Sequence, residues 1–173
     1  MKFHPLLEEI RSQVGETSKP DFLARFRDHF LVIEMKVFER NHQLMTKGPS
    51  QSCPPDIART VRSTIVAVIG KTARNRDADR ITVGRSPDND VIIEHPSVSK
   101  LHAFIRYSES TGSVKLSDAG SRFGTTMNGI PVGMGANLQL QSGDAIVFAR
   151  SVTASYFTPA DFYEYLKITR GLF

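Results

Sequence analysis

The spacing of apolar positions changes along the chain. Leu6, Leu7, Ile10 and Val14 recur at helical spacing over residues 4–14. Gly15 predicts a stop. After the short loop 16–19, Pro20 and Asp21 suit the first turn of a new helix. Phe22, Phe26, Phe30, Ile33 and Val37 then form a stripe at steps of four and three. Leu23, Leu31, Met35 and Phe38 widen it. The pattern predicts a second helix to about Met45, and so short a loop predicts an antiparallel helical hairpin over residues 1–45. Two helices cannot bury so wide a face alone. The hairpin must pack on the rest of the chain or on a second copy, so homodimerisation through residues 1–45 is one expectation.

Residues 46–56 contain Gly48, Pro49, Pro54 and Pro55, which rule out continuous helix. Residues 46–62 therefore read as a linker, with Asp56 capping a short helix over 57–62. From Ser63 the pattern turns β-branched and short-ranged. Apolar runs at 63–70, 80–83, 91–93, 103–107, 114–117, 137–140, 145–148 and 152–157 are separated by turn residues such as Ser86-Pro87-Asp88-Asn89 and Ser142-Gly143-Asp144. No helix-length segment intervenes, so residues 63–158 predict a mainly antiparallel β-sandwich or barrel. Thr158 or Pro159 opens a short C-terminal helix over 159–173, with Phe162, Tyr163 and Leu166 facing the sandwich.

Composition narrows the function. The chain has 173 residues, 40% hydrophobic and 23% charged, which permits one compact domain with an appendage. Its single cysteine, Cys53, lies in a proline-rich run without a neighbouring base, which argues for an inert thiol. Glu8 and Glu9 interrupt the N-terminus before any secretion-type apolar run forms. No stretch of 18 apolar residues occurs. The expectation is a cytoplasmic protein without membrane association. The net charge of +4 divides evenly, +2 over residues 1–62 and +2 over 63–173. Such dispersion argues against a nucleic-acid ligand.

His4, His29, His42 and His95 lack metal-ligand spacing, so neither a metal nor another cofactor is expected. Residues 120–126 approach a phosphate loop, but the spacing is one short and the lysine is missing. No nucleophile elbow occurs. An enzyme is not expected.

Three loop segments carry the remaining chemistry: Gly84-Arg85-Ser86, Ser99-Lys100-Leu101-His102, and residues 118–129 with Ser121, Arg122, Phe123, Gly124, Thr125, Asn128 and Gly129. Together they offer two guanidinium groups, an ammonium, hydroxyls and loop amides, the donors that bind a phosphate dianion. Ser99 follows Arg85 by 14 positions and Ser121 follows His102 by 19. This ordered set resembles the forkhead-associated (FHA) domain over residues 63–158.

The resemblance implies an eleven-stranded sandwich with recognition loops at one end, and a phosphothreonine-containing partner downstream of a Ser/Thr kinase. It implies that Arg85 contacts the phosphate or the ligand backbone, that Ser99 donates its hydroxyl, and that Lys100 adds charge or a peptide contact. Ser121, Arg122 and Phe123 complete the phosphopeptide-binding set. Gly84, His102, Gly124, Thr125 and Asn128 support the loops. The family usually places Asn where this chain has Phe123. A phenyl ring cannot hold a ligand backbone by hydrogen bonds, and Arg122 beside it is the compensating group. A phospho-independent scaffold or regulatory oligomer, built on the hairpin and the sandwich face, is the alternative.

Overall fold

The apolar run Phe30-Leu31-Val32-Ile33 is a strand buried on both faces. The structure, a computed structural model, describes residues 2–3, 10, 17–39, 59–77, 79–108 and 110–169. In strand β2 (His29–Glu39), Leu31, Ile33 and Met35 point into the core between two sheets. Phe30 and Val32 point the other way, into a second core beneath two helices. Strands alternate their side chains, so two-sided burial erases the polar–apolar alternation that normally marks them.

One sheet has the order β1-β3-β2-β12-β11-β8-β9 and the other β10-β7-β6-β4-β5. Their strands are β1 (Lys2–Phe3), β3 (Arg59–Ile69), β4 (Ile81–Gly84), β5 (Val91–Ile92), β6 (Ala103–Ser108), β7 (Ser113–Asp118), β8 (Thr125–Met127), β9 (Ile130–Val132), β10 (Leu138–Gln139), β11 (Ala145–Phe148) and β12 (Val152–Phe157). Pairing is antiparallel except for β1 with β3 and β4 with β5. The fold is a mainly β sandwich of two sheets, with a short C-terminal helix. Val83, Ile105, Leu116, Ile146, Phe148 and Val152 fill the space between the sheets.

Helices α1 (Lys19–Arg25) and α2 (Pro159–Thr169) cover the outer face of the larger sheet. Ser18 caps α1, whose second residue is Pro20. The Thr158 hydroxyl accepts from the Asp161 amide at the start of α2. Phe22, Phe30, Val32 and Val66 meet Phe162, Tyr163 and Leu166 there, with the Phe30 and Phe162 rings stacked at 4.2 Å. Lys19 pairs with Glu164 across the two helices at 2.7 Å. Phe162, Tyr163 and Leu166 thus face the sandwich as the sequence predicts.

The N-terminal reading needs correction. Phe22, Phe26 and Phe30 do meet in space, at ring separations of 4.7 and 6.4 Å. They do so because the chain turns from α1 into β2, and not along one helix. The predicted second helix is therefore seven residues followed by an eleven-residue strand. That strand lies inside the larger sheet, between β3 and β12, so the sandwich recruits residues well before Ser63. Phe22, Phe30, Leu31, Val32, Ile33 and Met35 are all buried within the chain.

The short helix predicted over 57–62 is corrected too. Arg59 to Arg62 belong to β3, in register with Glu39 to Lys36. The first predicted helix lies outside the described residues except for Ile10, which is helical and buried in the outer core. Residues 46–58 of the predicted linker 46–62, Cys53 among them, also lie outside the described residues.

Candidate functional site

Three loops converge at one end of the sandwich, and backbone pairing brings them together. The Arg85 amide donates to the Ser99 carbonyl at 2.9 Å, and the Ser86 amide donates to the Lys100 carbonyl at 3.1 Å. These bonds carry the end of β4 onto the loop 93–102. Gly84 makes the approach possible. An ideal Cβ there would lie 2.3 Å from the Lys100 carbonyl oxygen. The reason for glycine is this close approach of another backbone.

Asn89 locks the same junction from beneath. It is buried, and its amide donates to the Ser86 carbonyl at 2.8 Å and to the Lys100 carbonyl at 2.6 Å. Sequence reasoning passed over Asn89 as a turn residue. The signal was its place at the end of Ser86-Pro87-Asp88-Asn89, where a short amide can satisfy the carbonyls that a tight turn strands.

His102 joins the second loop to the third. The Ser99 amide donates to Nδ1 at 3.1 Å, so Nδ1 is the acceptor and Nε2 carries the proton. Nε2 then donates to the Gly124 carbonyl at 3.2 Å. The ring is fully buried. Burial holds its pKa below the usual histidine value, although the Gly124 carbonyl and the Asp118 charge act in the opposite sense.

Asp118 organises the third loop. Its Oδ1 accepts from the Gly120 and Ser121 amides, both at 2.7 Å. Its Oδ2 accepts the Ser121 hydroxyl at 2.7 Å and the Thr125 hydroxyl at 2.6 Å. The Ser121 proton is thus committed to Asp118. The structure places Ser121 with the loop supports and not among the outward donors, a distinction that depends on its three-dimensional partner.

Asn128 lies at the far end of β8, where Asn128 and Gly129 form the two-residue hairpin turn to β9 with φ of 52° and 82°. That pair is a strong hairpin signal. Read only as motif residues, they hid the strands on either side, β8 and the proline-containing β9. Asn128 also binds Asp144 and the Ala145 amide.

What remains facing outward is cationic and hydroxylic. Arg85 is exposed and uses Nε on the Val98 carbonyl at 3.2 Å, while its two Nη groups make no hydrogen bond among the described residues. The Ser99 hydroxyl oxygen accepts the Arg122 amide at 3.1 Å, which leaves the hydroxyl proton available to donate. Lys100 and Arg122 are exposed and form no ion pair among the described residues. The Arg122 guanidinium lies over the Phe123 ring at 5.1 Å, and that ring is 41% exposed. The structure therefore brings Arg85, Ser99 and Arg122 together directly, with Lys100 adjoining. Its donors suit an oxyanion of double charge.

The same network predicts sensitivity to acid. Burial pushes Asp118 upward, but bonds from the Thr125 and Ser121 hydroxyls and two amides outweigh it, so its pKa is lowered. Asp90 is held low in the same way, with burial opposed by bonds from Thr82, Asn75 and Thr72. A carboxyl with a lowered folded pKa stabilises fully above its unfolded value near 4, and loses that contribution as pH falls through the folded value. His102 also has a lowered folded pKa. Its contribution is complete above roughly pH 6.5 and declines below it, because the unfolded imidazole takes the proton first. The unfolding midpoint should therefore fall in stages between pH 7 and pH 3. A midpoint constant over that range would contradict the assignment.

The family model described as FHA domain matches residues 81–149, the span that holds all three loops. This segment is an FHA domain. The "FHA domain-containing protein PS1" of Arabidopsis thaliana is 32% identical over 66 residues, 38% of this chain. The match spans 4% of that relative's length. Among solved structures, an engineered FHA domain with a Myc-pTBD peptide is 20% identical, with a TM-score of 0.48 and coverage of 82% of this chain and 99% of that one. The FHA domain of another Arabidopsis thaliana protein is 17% identical, with a TM-score of 0.47, covering 76% of this chain and 86% of that one. FHA domains bind phosphorylated motifs through arginine-containing clusters. Among the described residues, no helix is long and apolar enough to cross a membrane.

Proposed function

We propose that this FHA domain binds a phosphothreonine segment of a partner protein, downstream of a Ser/Thr kinase. The observation that carries the reading is the junction at Ser99. Its carbonyl accepts from the Arg85 amide, its hydroxyl oxygen accepts from the Arg122 amide, and its hydroxyl proton has no acceptor among the described residues. A phosphate placed against that proton meets the Arg85 Nη groups on one side and Arg122 on the other, with Lys100 adding charge. Ser121, Gly124, Thr125 and His102 hold the loops, and Gly84 admits their approach. Phe123 replaces a hydrogen-bonding side chain with an exposed ring. It holds the ligand by van der Waals contact, and the Arg122 stack presents the guanidinium beside it.

The domain acts in this reading as a binding module of the cytoplasm and carries out no catalysis. Calorimetric titration of phosphorylated and unphosphorylated forms of one threonine peptide tests it. The phosphorylated form should bind and the other should not. Arg85→Ala or Ser99→Ala should each weaken binding by about 1.5–3 kcal/mol, the size of a charge-assisted hydrogen bond, while the unfolding midpoint stays near wild type. Equal affinity for the two forms would refute the proposal. The resemblance further implies that phosphothreonine outcompetes phosphoserine, because the family selects the threonine methyl.

A further inference from the structure

A second cationic surface adjoins the recognition loops and shares only Lys100 with the site described above. A cleft of about 620 Å³ opens beside Lys100 and Ser86, the residues that follow Ser99 and Arg85 in the chain. Its far wall is Arg74, Asn75 and Arg76, from the loop between β3 and β4. Arg74, Arg76 and Lys100 are exposed, and none forms an ion pair among the described residues. Two neighbouring carboxylates are already committed. Asp77 holds Arg80 at 2.6 Å, and Asp90 is buried and lies 3.6 Å from Lys71. Asp88 is the one carboxylate lining the cleft, and it accepts the Ser86 hydroxyl at 3.2 Å. Three cations against one anion leave the cleft positive.

The loop that carries the two arginines is anchored. Asp90 Oδ1 accepts the Thr72 amide at 2.7 Å and its hydroxyl at 2.9 Å, while Oδ2 accepts the Asn75 side chain and the Thr82 amide. A single buried carboxylate thereby ties the arginine loop to β4, the strand that ends at Gly84 and Arg85. Asn75, between the two arginines, also bonds the Arg80 carbonyl at 2.8 Å. The guanidinium groups project from a backbone held in place on either side.

We infer that this cleft reads acidic side chains of the ligand, on one side of its phosphothreonine. The inference rests on the phosphothreonine reading, since the cleft starts one residue from Arg85 and Ser99. A ligand lying across the phosphate site reaches it within a few extended residues. Guanidinium forks pair carboxylates bidentately, so aspartate or glutamate suits the wall better than an amide does. Pairs at an open rim are screened and contribute modestly, more to selection than to raw affinity.

Fluorescence anisotropy with the full chain tests it. Four peptides share one core: phosphothreonine with three glutamates before it, with three glutamates after it, with glutamines on both sides, and the unphosphorylated threonine with glutamates on both sides. One glutamate phosphopeptide should bind about 3- to 10-fold more tightly than the glutamine form. In the double variant Arg74→Ala, Arg76→Ala that gain should shrink below about 2-fold, while the glutamine phosphopeptide keeps its affinity. Both arginines are exposed, and an unchanged unfolding midpoint confirms the variant's fold. Equal affinities for glutamate and glutamine phosphopeptides, or a gain that survives in the variant, would overturn the inference and leave the phosphothreonine reading standing. A glutamine phosphopeptide that binds wild type no better than the unphosphorylated peptide would overturn both.

Discussion

Alanine at position 118 is expected to destabilise the domain by about 3–5 kcal/mol, out of a total of about 5–15 kcal/mol for a domain of ordinary stability. The carboxylate is buried and satisfies two amides and two hydroxyls, at 2.6–2.7 Å. Without it, the Gly120 and Ser121 amides and the Ser121 and Thr125 hydroxyls lose their acceptor together. Thr125 is itself buried, so water cannot replace the bond at no cost. Asp118→Asn is the informative control. Its carbonyl oxygen can keep the two amides, and both hydroxyls can rotate to accept from its NH2 group. It should recover most of the loss. Melting temperatures of the three proteins give the measurement, with alanine lower by roughly 10 °C. Alanine within about 1 kcal/mol of wild type would mean that the 119–124 loop does not depend on this anchor.

The second large effect is expected at Gly84, and it should appear in binding before it appears in folding. A methyl group there would sit 2.3 Å from the Lys100 oxygen, 2.9 Å from the Lys100 carbonyl carbon and 3.0 Å from Asn89 Nδ2. The first two are backbone atoms and cannot rotate aside. Gly84→Ala must push β4 and the 93–102 loop apart, straining the bonds from Arg85 to the Ser99 carbonyl and from Ser86 to the Lys100 carbonyl. Overpacking of this kind costs about 1–3 kcal/mol of stability. The loss of phosphopeptide affinity should lie at the top of that range, on the order of 100-fold or about 2.7 kcal/mol, because a displacement near 1 Å at a phosphate site uncouples donors that act together. Titration at a temperature where the variant remains folded separates the two. Wild-type affinity in a folded Gly84→Ala variant would show that the spacing of Arg85 and Ser99 is not what positions the phosphate.

These two positions mark where sequence reasoning stopped. Gly84 and Asp118 were visible as parts of a pattern, but the atoms that give them their roles belong to other loops. Ser121 shows the same limit. A serine in a phosphate-binding motif reads as a donor, and only the proximity of Asp118 shows that its proton is already committed. Asn89 passed as a turn residue for the same reason, since its two carbonyl partners lie 3 and 11 residues away. The loop-supporting role of His102 came only from the family resemblance, not from its sequence neighbours. The tautomer that lets it bridge two loops needed the coordinates.

Apart from β8 and β9, the sandwich strands after Ser63 were readable from the chain alone, because turn residues punctuate them at short intervals and their β-branched runs are brief. The order of Arg85, Ser99, His102 and Arg122 was readable too, since it depends only on spacing. The tertiary structure decided the rest. It made His29–Glu39 an inner strand, because helices close its second face and thereby remove the alternation that would have announced it. It also gathered charge. The positive excess is spread evenly along the sequence, yet the loops bring Arg74, Arg76, Arg85, Lys100 and Arg122 onto adjoining surfaces. Electrostatic attraction depends on distance in space and not along the chain, so only the fold could turn a dispersed charge into a binding surface.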